Sequence, residues 1–287
     1  MLSMLAAIQI SFNPVIIFSI RWYGFLLALG VAVVVWWGLR QSKKTGKYTY
    51  DDALTAALVG IPSGIVFSKL LHVIDNIVIA KVHPELILTS RVIDYTQFPL
   101  KIIDGGGLTI EGAVLGAALG IWVYSLFNKK FPYGLFVDAV APAIILAQAI
   151  GRLGCLINGC CYGLESNLPF AIVYTNPNSY GPLGVPVLPT QFFEIVYNLI
   201  VFGILMGLRN RLKPDGSLFM IYLSLYAVWR IGIDFIRDGN PFFFNLHQAQ
   251  FIGIVTLLIT IPVMLRKTRW VKPDKPETKV EIETGVS

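Results

Sequence analysis

The chain has 287 residues, of which 55% are hydrophobic and only 14% are charged, and a mean hydropathy of +0.67 excludes an ordinary soluble domain. The net charge of +6 does not mark a nucleic-acid binder, because the Lys and Arg residues lie in short loops beside apolar runs, where they report membrane topology. The short alternating segments of a membrane β-barrel are absent, so the expected fold class is all-α integral membrane.

Residues 1–12 carry no positive charge and precede no small-residue cleavage site, so no removable signal peptide is expected. Seven apolar runs follow, at 17–39, 51–74, 107–127, 134–157, 190–208, 217–236 and 248–265. Each is near the ~20 residues that cross ~30 Å of hydrocarbon. The first holds Arg21 and Tyr23 and is followed by Arg40, Lys43, Lys44 and Lys47. The second carries Lys69. The third carries Glu111 four residues after the last of the glycines at 105–107 and is followed by Lys129 and Lys130. The fourth carries Asp138 and, near its far end, Arg152. The fifth carries Glu194 and is followed by Arg209, Arg211 and Lys213. On the sixth, Tyr226, Arg230, Asp234 and Arg237 recur at spacings of three and four, which places them on one helix face. The seventh ends at Arg266 and Lys267. Residues 1–270 are read as a single polytopic membrane domain, and 271–287 as a charged cytoplasmic tail.

The basic residues concentrate on the loops 40–50, 128–133 and 209–216 and on the tail. By the positive-inside rule the N-terminus is outside and the C-terminus inside. The long connections 75–106 and 158–189 are then external and form a head above the membrane. The second, rich in Pro, Gly, Asn and Tyr, predicts ordered turns rather than regular elements.

Arg21, Lys69, Arg152 and Arg230 fall inside spans or at their external ends, at depths similar to Glu111, Glu194 and Asp234, while Asp138 falls in the inner half of span four. A guanidinium near bilayer depth costs a few kcal/mol or more, so each needs a partner or a task. Two readings stay open. The charges pair across helices and hold the bundle together, or two or three arginines converge on an anion. Arginine's planar fork of donors suits a phosphate, and in a membrane the obvious phosphate is a lipid head group.

Several motifs, taken in order, resemble one family. These are Ile20-Arg21-Trp22-Tyr23-Gly24; Gly105 to Gly112; Gly151-Arg152-Leu153-Gly154 preceded by Asp138, Pro142 and Gln148; Pro189 to Glu194; Tyr226 to Arg230 with Asp234 to Arg237; and Gln250. The chain resembles the bacterial prolipoprotein diacylglyceryl transferases, whose topology is also seven spans with the N-terminus outside. It departs from the family pattern at Glu111, where His or Tyr is usual, at Cys155 and Cys160, where the signature has Asn and Glu, and at Leu188, where it has His.

The resemblance implies transfer of a diacylglyceryl group from phosphatidylglycerol to the lipobox cysteine of a prolipoprotein, in the bacterial cytoplasmic (inner) membrane. A thioether forms, glycerol phosphate leaves, and no cofactor or nucleic acid takes part. On this reading Arg152 and Arg230 hold the leaving phosphate, with Arg237 nearer the surface. Glu111 is the base that makes the thiol a thiolate. Tyr23 and Asn158 orient the lipid, and Glu194 or Asp234 holds an arginine in place. Each role has a plainer counterpart. Glu111 neutralises an arginine, Tyr23 is an interfacial anchor, Asn158 caps span four, and Glu194 is a structural ion-pair partner. The alternatives for the whole chain are a divergent paralogue using another lipid donor or acceptor, and a non-enzymatic lipid-binding or transport protein.

Cys155, Cys160 and Cys161 follow a Cys-x4-Cys-Cys spacing with no nearby His, which is poor metal-site spacing. They are read as inert, or as holding one disulfide to Cys155. His72, His83 and His247 lack a second ligand at useful spacing, so no metal site is expected.

Overall fold

The computed structural model describes residues 7–18, 20–46, 48–82, 95, 107–244 and 246–271. Among the described residues, seven helices are long and apolar enough to cross a membrane. In chain order they are α1 (Trp22–Thr45), α2 (Tyr50–Val82), α3 (Ile110–Phe127), α4 (Tyr133–Asn158), α5 (Thr190–Leu208), α6 (Ser217–Ile233, continued by a 3-10 turn over Asp234–Ile236) and α7 (Gln248–Lys267).

The first span differs most from expectation. The apolar run from residue 17 does not enter the helix at once, because β2 (Val15–Ile17) turns back on β3 (Ile20–Arg21). Asn13 Oδ1 accepts from Val15 N at 3.1 Å, Phe18 sits at φ 52, and Trp22 N reaches back to Pro14 O at 3.0 Å. These local bonds give the backbone a turn in place of a helical start. α1 then runs six residues beyond 39 and stops at Gly46, whose φ of 61 allows the cap bond to Ser42 O. α2 is also longer than its apolar core, and at 33 residues it spans about 50 Å. Its start is held by a reciprocal cap, Thr49 N to Asp52 Oδ2 at 2.9 Å and Asp52 N to Thr49 Oγ1 at 3.0 Å. Its end, to Val82, takes up the first part of the connection read as loop; residues 83–94 and 96–106 lie outside the described residues.

α2 packs on α3, α1 on α4, α4 on α5 and α6 on α7. Small residues permit the close approaches, as expected where lipid removes the usual hydrophobic drive. A Cβ on Gly64 would meet Ala113 O at 2.9 Å, one on Gly116 would meet Phe67 Cβ at 2.3 Å, and one on Gly30 would meet Ala147 O at 3.1 Å. α4 is the central helix and the most enclosed of the seven. Near its start, Asp138 accepts hydrogen bonds from Gly216 N at 2.7 Å and Phe219 N at 2.8 Å. A carboxylate of one helix thus satisfies the free N–H groups that open another, which fixes α6 against α4.

The basic residues Arg40, Lys43 and Lys44, Lys129 and Lys130, Arg209 and Arg211, and Arg266 and Lys267 lie at one end of the bundle. The opposite end carries a small sheet of β1 (Ile8–Ile10), β4 (Ile172–Tyr174) and β5 (Pro186–Val187). β1 pairs in parallel with β4, and β4 antiparallel with β5. Residues 158–189 were expected to hold turns alone. Their strands are two and three residues long, too short for an alternation signal, and β4 exists by pairing with a segment some 160 residues earlier in the chain.

Candidate active site

α4 presents Gln148, Arg152 and Cys155 at helical spacing toward the bundle interior, and ends at Asn158. Arg152 is 4% exposed. Its Nε lies 2.9 Å from Glu194 Oε1 on α5, close enough for an ion pair but out of hydrogen-bonding line. Its Nη1 donates to Cys155 Sγ at 3.8 Å. Tyr226 Oη on α6 donates to the same Glu194 oxygen at 3.3 Å.

Arg230 on α6 joins three carboxylates. Its Nε donates to Glu111 Oε1 on α3 at 3.0 Å, Nη1 lies 3.0 Å from Asp234 Oδ1 and 3.9 Å from Glu194 Oε2, and Nη2 donates to Asp234 Oδ2 at 3.2 Å. Asp234 also faces Arg237 Nη1 at 3.6 Å and His247 Nδ1 at 4.0 Å. Six of the residues expected to form a site therefore meet in one network, three arginines against three carboxylates. The pairing reading describes the resting arrangement, and in it Glu194 bridges Arg152 to Arg230.

Two cavities touch this network. One, of about 30 Å³, is lined by Glu111, Gln148, Tyr222, Tyr226 and Arg230, with apolar walls from Val114 and Leu115 of α3 and Ile252 of α7. The other, of about 270 Å³ on the head side, is lined by Asp234, Arg237, Asp238, His247 and Gln250. The Arg230–Asp234 pair stands between them.

Asn158 and Tyr23 lie to one side. Asn158 Oδ1 accepts from Arg21 Nη1 at 2.9 Å, and that nitrogen also donates to Asn178 O at 3.0 Å. The Arg21 guanidinium covers the Tyr180 ring at 3.9 Å, a cation–π contact. Gly159, at φ 77, provides the cap of α4 through its own N–H to Cys155 O, so Asn158 is not the residue in the left-handed cap position. Tyr23 packs on Gly154, where a Cβ would meet its Cα at 3.2 Å.

Sequence reasoning left two residues out of the site. Arg21 has no carboxylate within ion-pair distance among the described residues, and its signal was its place beside Tyr23 in the first motif. Gln148 is 6% exposed and lines the smaller cavity beside Tyr222, and its signal was its position one turn before Arg152. Gly105 and Gly106 of the second motif lie outside the described residues, and Gly107 packs on the His72 ring.

Of the two readings of the three cysteines, the disulfide does not form. All are free thiols, with no disulfide to Cys155, and their sulfurs lie within 4.8 Å of one another. The turn after α4 folds back and brings positions five and six apart onto one point. The Cys155 thiol's hydrogen bond draws Cys160 down, but its bond to Cys161 and burial together push it up to about 11. Hydrogen bonds from Cys155 and Cys160 hold the Cys161 thiol well below its ordinary value.

A multi-pass membrane bundle with a buried arginine–carboxylate network beneath a small head defines a polytopic membrane protein with a charged site in its interior. The sequence places it more closely. The family model for prolipoprotein diacylglyceryl transferase matches residues 9–266, and the chain belongs to that family. It is 42% identical over 250 residues to the phosphatidylglycerol–prolipoprotein diacylglyceryl transferase of Dehalococcoides mccartyi, covering 87% of this chain and 90% of that one. To the enzyme of the same name from Clostridium tetani it is 32% identical, covering 83% and 90%. To that of Corynebacterium efficiens it is 33% identical, covering 86% and 77%.

Proposed function

We propose that this chain transfers the diacylglyceryl group of phosphatidylglycerol to the lipobox cysteine thiol of prolipoproteins. The observation that carries the reading is the Arg152–Glu194–Arg230–Glu111 chain of contacts, set beside a cavity with apolar walls. The bundle sits in the bacterial cytoplasmic membrane with its N-terminus and head outside and its basic end and C-terminus in the cytoplasm, because the positive charge gathers at that end.

Phosphate oxygens compete with carboxylates for the same guanidinium donors. A phosphatidylglycerol phosphate entering from the head side takes Arg230 from Glu111 and draws on the remaining guanidinium N–H groups of Arg230 and Arg152. Arg21, held by Asn158 at the head end of α4, and Arg237 beside the larger cavity guide it there. Asp234 and Glu194 keep the two guanidiniums aimed, and Tyr23 and Asn158 border the lipid's path. Glu111, released from Arg230, takes the proton of the acceptor thiol. The thiolate sulfur attacks the glycerol carbon of the diacylglyceryl group, a C–S bond forms and the C–O bond to phosphate breaks. The departing glycerol phosphate carries the electron pair of that bond, and its charge is met by the two arginines.

The deciding experiment is mass spectrometry of a lipobox peptide after incubation with purified protein in phosphatidylglycerol vesicles. The expected result is a peptide heavier by one diacylglyceryl group, formed by the wild type and lost in Arg230→Ala. Lipid movement between vesicles with no covalent product would overturn transfer in favour of transport. Product from a different donor lipid alone would point to a paralogous reaction.

A further inference from the structure

The turn after α4 gathers three thiols at one point. Cys155 comes from the last turn of the helix, and Cys160 and Cys161 from just beyond its cap. Two backbone features make the fold-back. Gly159 takes φ 77, and a Cβ there would strike Ser179 Oγ at 2.0 Å. Cys161 takes φ 64, a left-handed conformation that a cysteine adopts at a cost. The turn is clamped from α5, where Gln191 Nε2 donates to Cys160 O at 2.8 Å and Thr190 Oγ1 donates to Cys161 O at 2.7 Å. The strained residue is thus held in place from outside the cluster, which a set of inert packing residues does not require.

We propose that Cys155, Cys160 and Cys161 form a three-thiolate site for one thiophilic metal ion, Cu(I) in preference to Zn(II). Thiolate sulfur is the donor that selects these ions. A metal–sulfur bond of about 2.3 Å sets the sulfurs of a trigonal site roughly 4 Å apart, inside the 4.8 Å that encloses the three here. No His, Asp or Glu joins the three as a fourth ligand among the described residues, which suits three-coordinate Cu(I) better than tetrahedral Zn(II). Binding replaces up to three S–H bonds by metal–sulfur bonds and releases those protons to solvent, with no change of oxidation state. The anionic cluster that results lies against Arg152, whose Nη1 is 3.8 Å from Cys155 Sγ. The site stands independently of the lipid-transfer reading.

The test uses the full chain in detergent micelles under oxygen-free reducing buffer. Cu(I) is supplied as its acetonitrile complex and free metal is removed by gel filtration. The expected result is one copper per chain by elemental mass spectrometry, with a near-ultraviolet sulfur-to-copper absorption. Zn(II) in a parallel titration is retained more weakly and is displaced by Cu(I). Cys161→Ser lowers Cu(I) affinity by at least roughly 10- to 100-fold. The wild-type absorption decides the matter even where that variant does not fold. No retained metal and no absorption would overturn the site. So would undiminished copper in a variant with all three cysteines changed to Ser, and Zn(II) displacing Cu(I) would overturn the stated preference.

Discussion

Arg152 and Glu194 face each other at 2.9 Å across α4 and α5, both almost wholly buried. Breaking a buried pair by removing one partner costs about 3–5 kcal/mol, because the other charge is left uncompensated, whereas removing both partners costs far less. Arg152→Ala is therefore expected to lower the unfolding midpoint sharply and to abolish lipid transfer. Arg152→Met combined with Glu194→Met should recover much of the stability and none of the activity. Thermal unfolding in detergent beside peptide mass spectrometry reads both. A double variant as unstable as the single one would show that the pair is not coupled.

Glu111 and Arg230 meet at 3.0 Å, and the proposed mechanism needs Glu111 only after a phosphate has taken its partner. Glu111→Gln keeps the shape of the contact and removes the proton acceptor. Turnover of the lipobox peptide should fall by about 100- to 10,000-fold, with phosphatidylglycerol vesicle binding little changed. An equal fall in binding and turnover would make Glu111 a structural counter-ion alone.

Among the described residues Arg21 is held by Asn158, a backbone carbonyl and an aromatic face and by no acid, so a phosphate meets it without displacing any acid among them. Arg21→Gln is expected to raise KM for phosphatidylglycerol by about tenfold or more, in line with about 1.5–3 kcal/mol for a hydrogen bond to a charged group, with kcat nearly unchanged. A fall in kcat at unchanged KM would contradict this placement.

Gly116 lies where a Cβ would come within 2.3 Å of Phe67 Cβ. Gly116→Val should push α3 from α2 and cost at least about 1–3 kcal/mol by overpacking, read as a lower unfolding midpoint. Because Glu111 sits one and a half turns earlier on the same helix, activity should fall as well. An unfolding midpoint equal to the wild type's would show that the two helices separate without cost.

The bulk of this architecture was written in composition and periodicity. An apolar run of membrane length has one stable solution, since backbone groups in hydrocarbon must bond within their own helix. Spans five and six accordingly begin and end where the apolar runs predicted, to the residue at 190–208 and 217–236. The limits failed at α1 and α2, where local capping and a hairpin, rather than hydropathy, decide the first and last turns.

The one-letter order of the chain also determined which charges lay at membrane depth, and the motifs that place it in its family. It left open whether Arg152 and Arg230 paired with acids or awaited an anion, because helix partners set far apart in sequence have no local signature. Only the tertiary structure decided that Glu194 stands between them, that Arg21 turns to Asn158, and that three cysteines of unpromising spacing share one point. The physical reason is common to all three. Burial fixes how deep a side chain lies and periodicity fixes its face, but the neighbour across the interface is chosen by how whole helices and the turns between them pack.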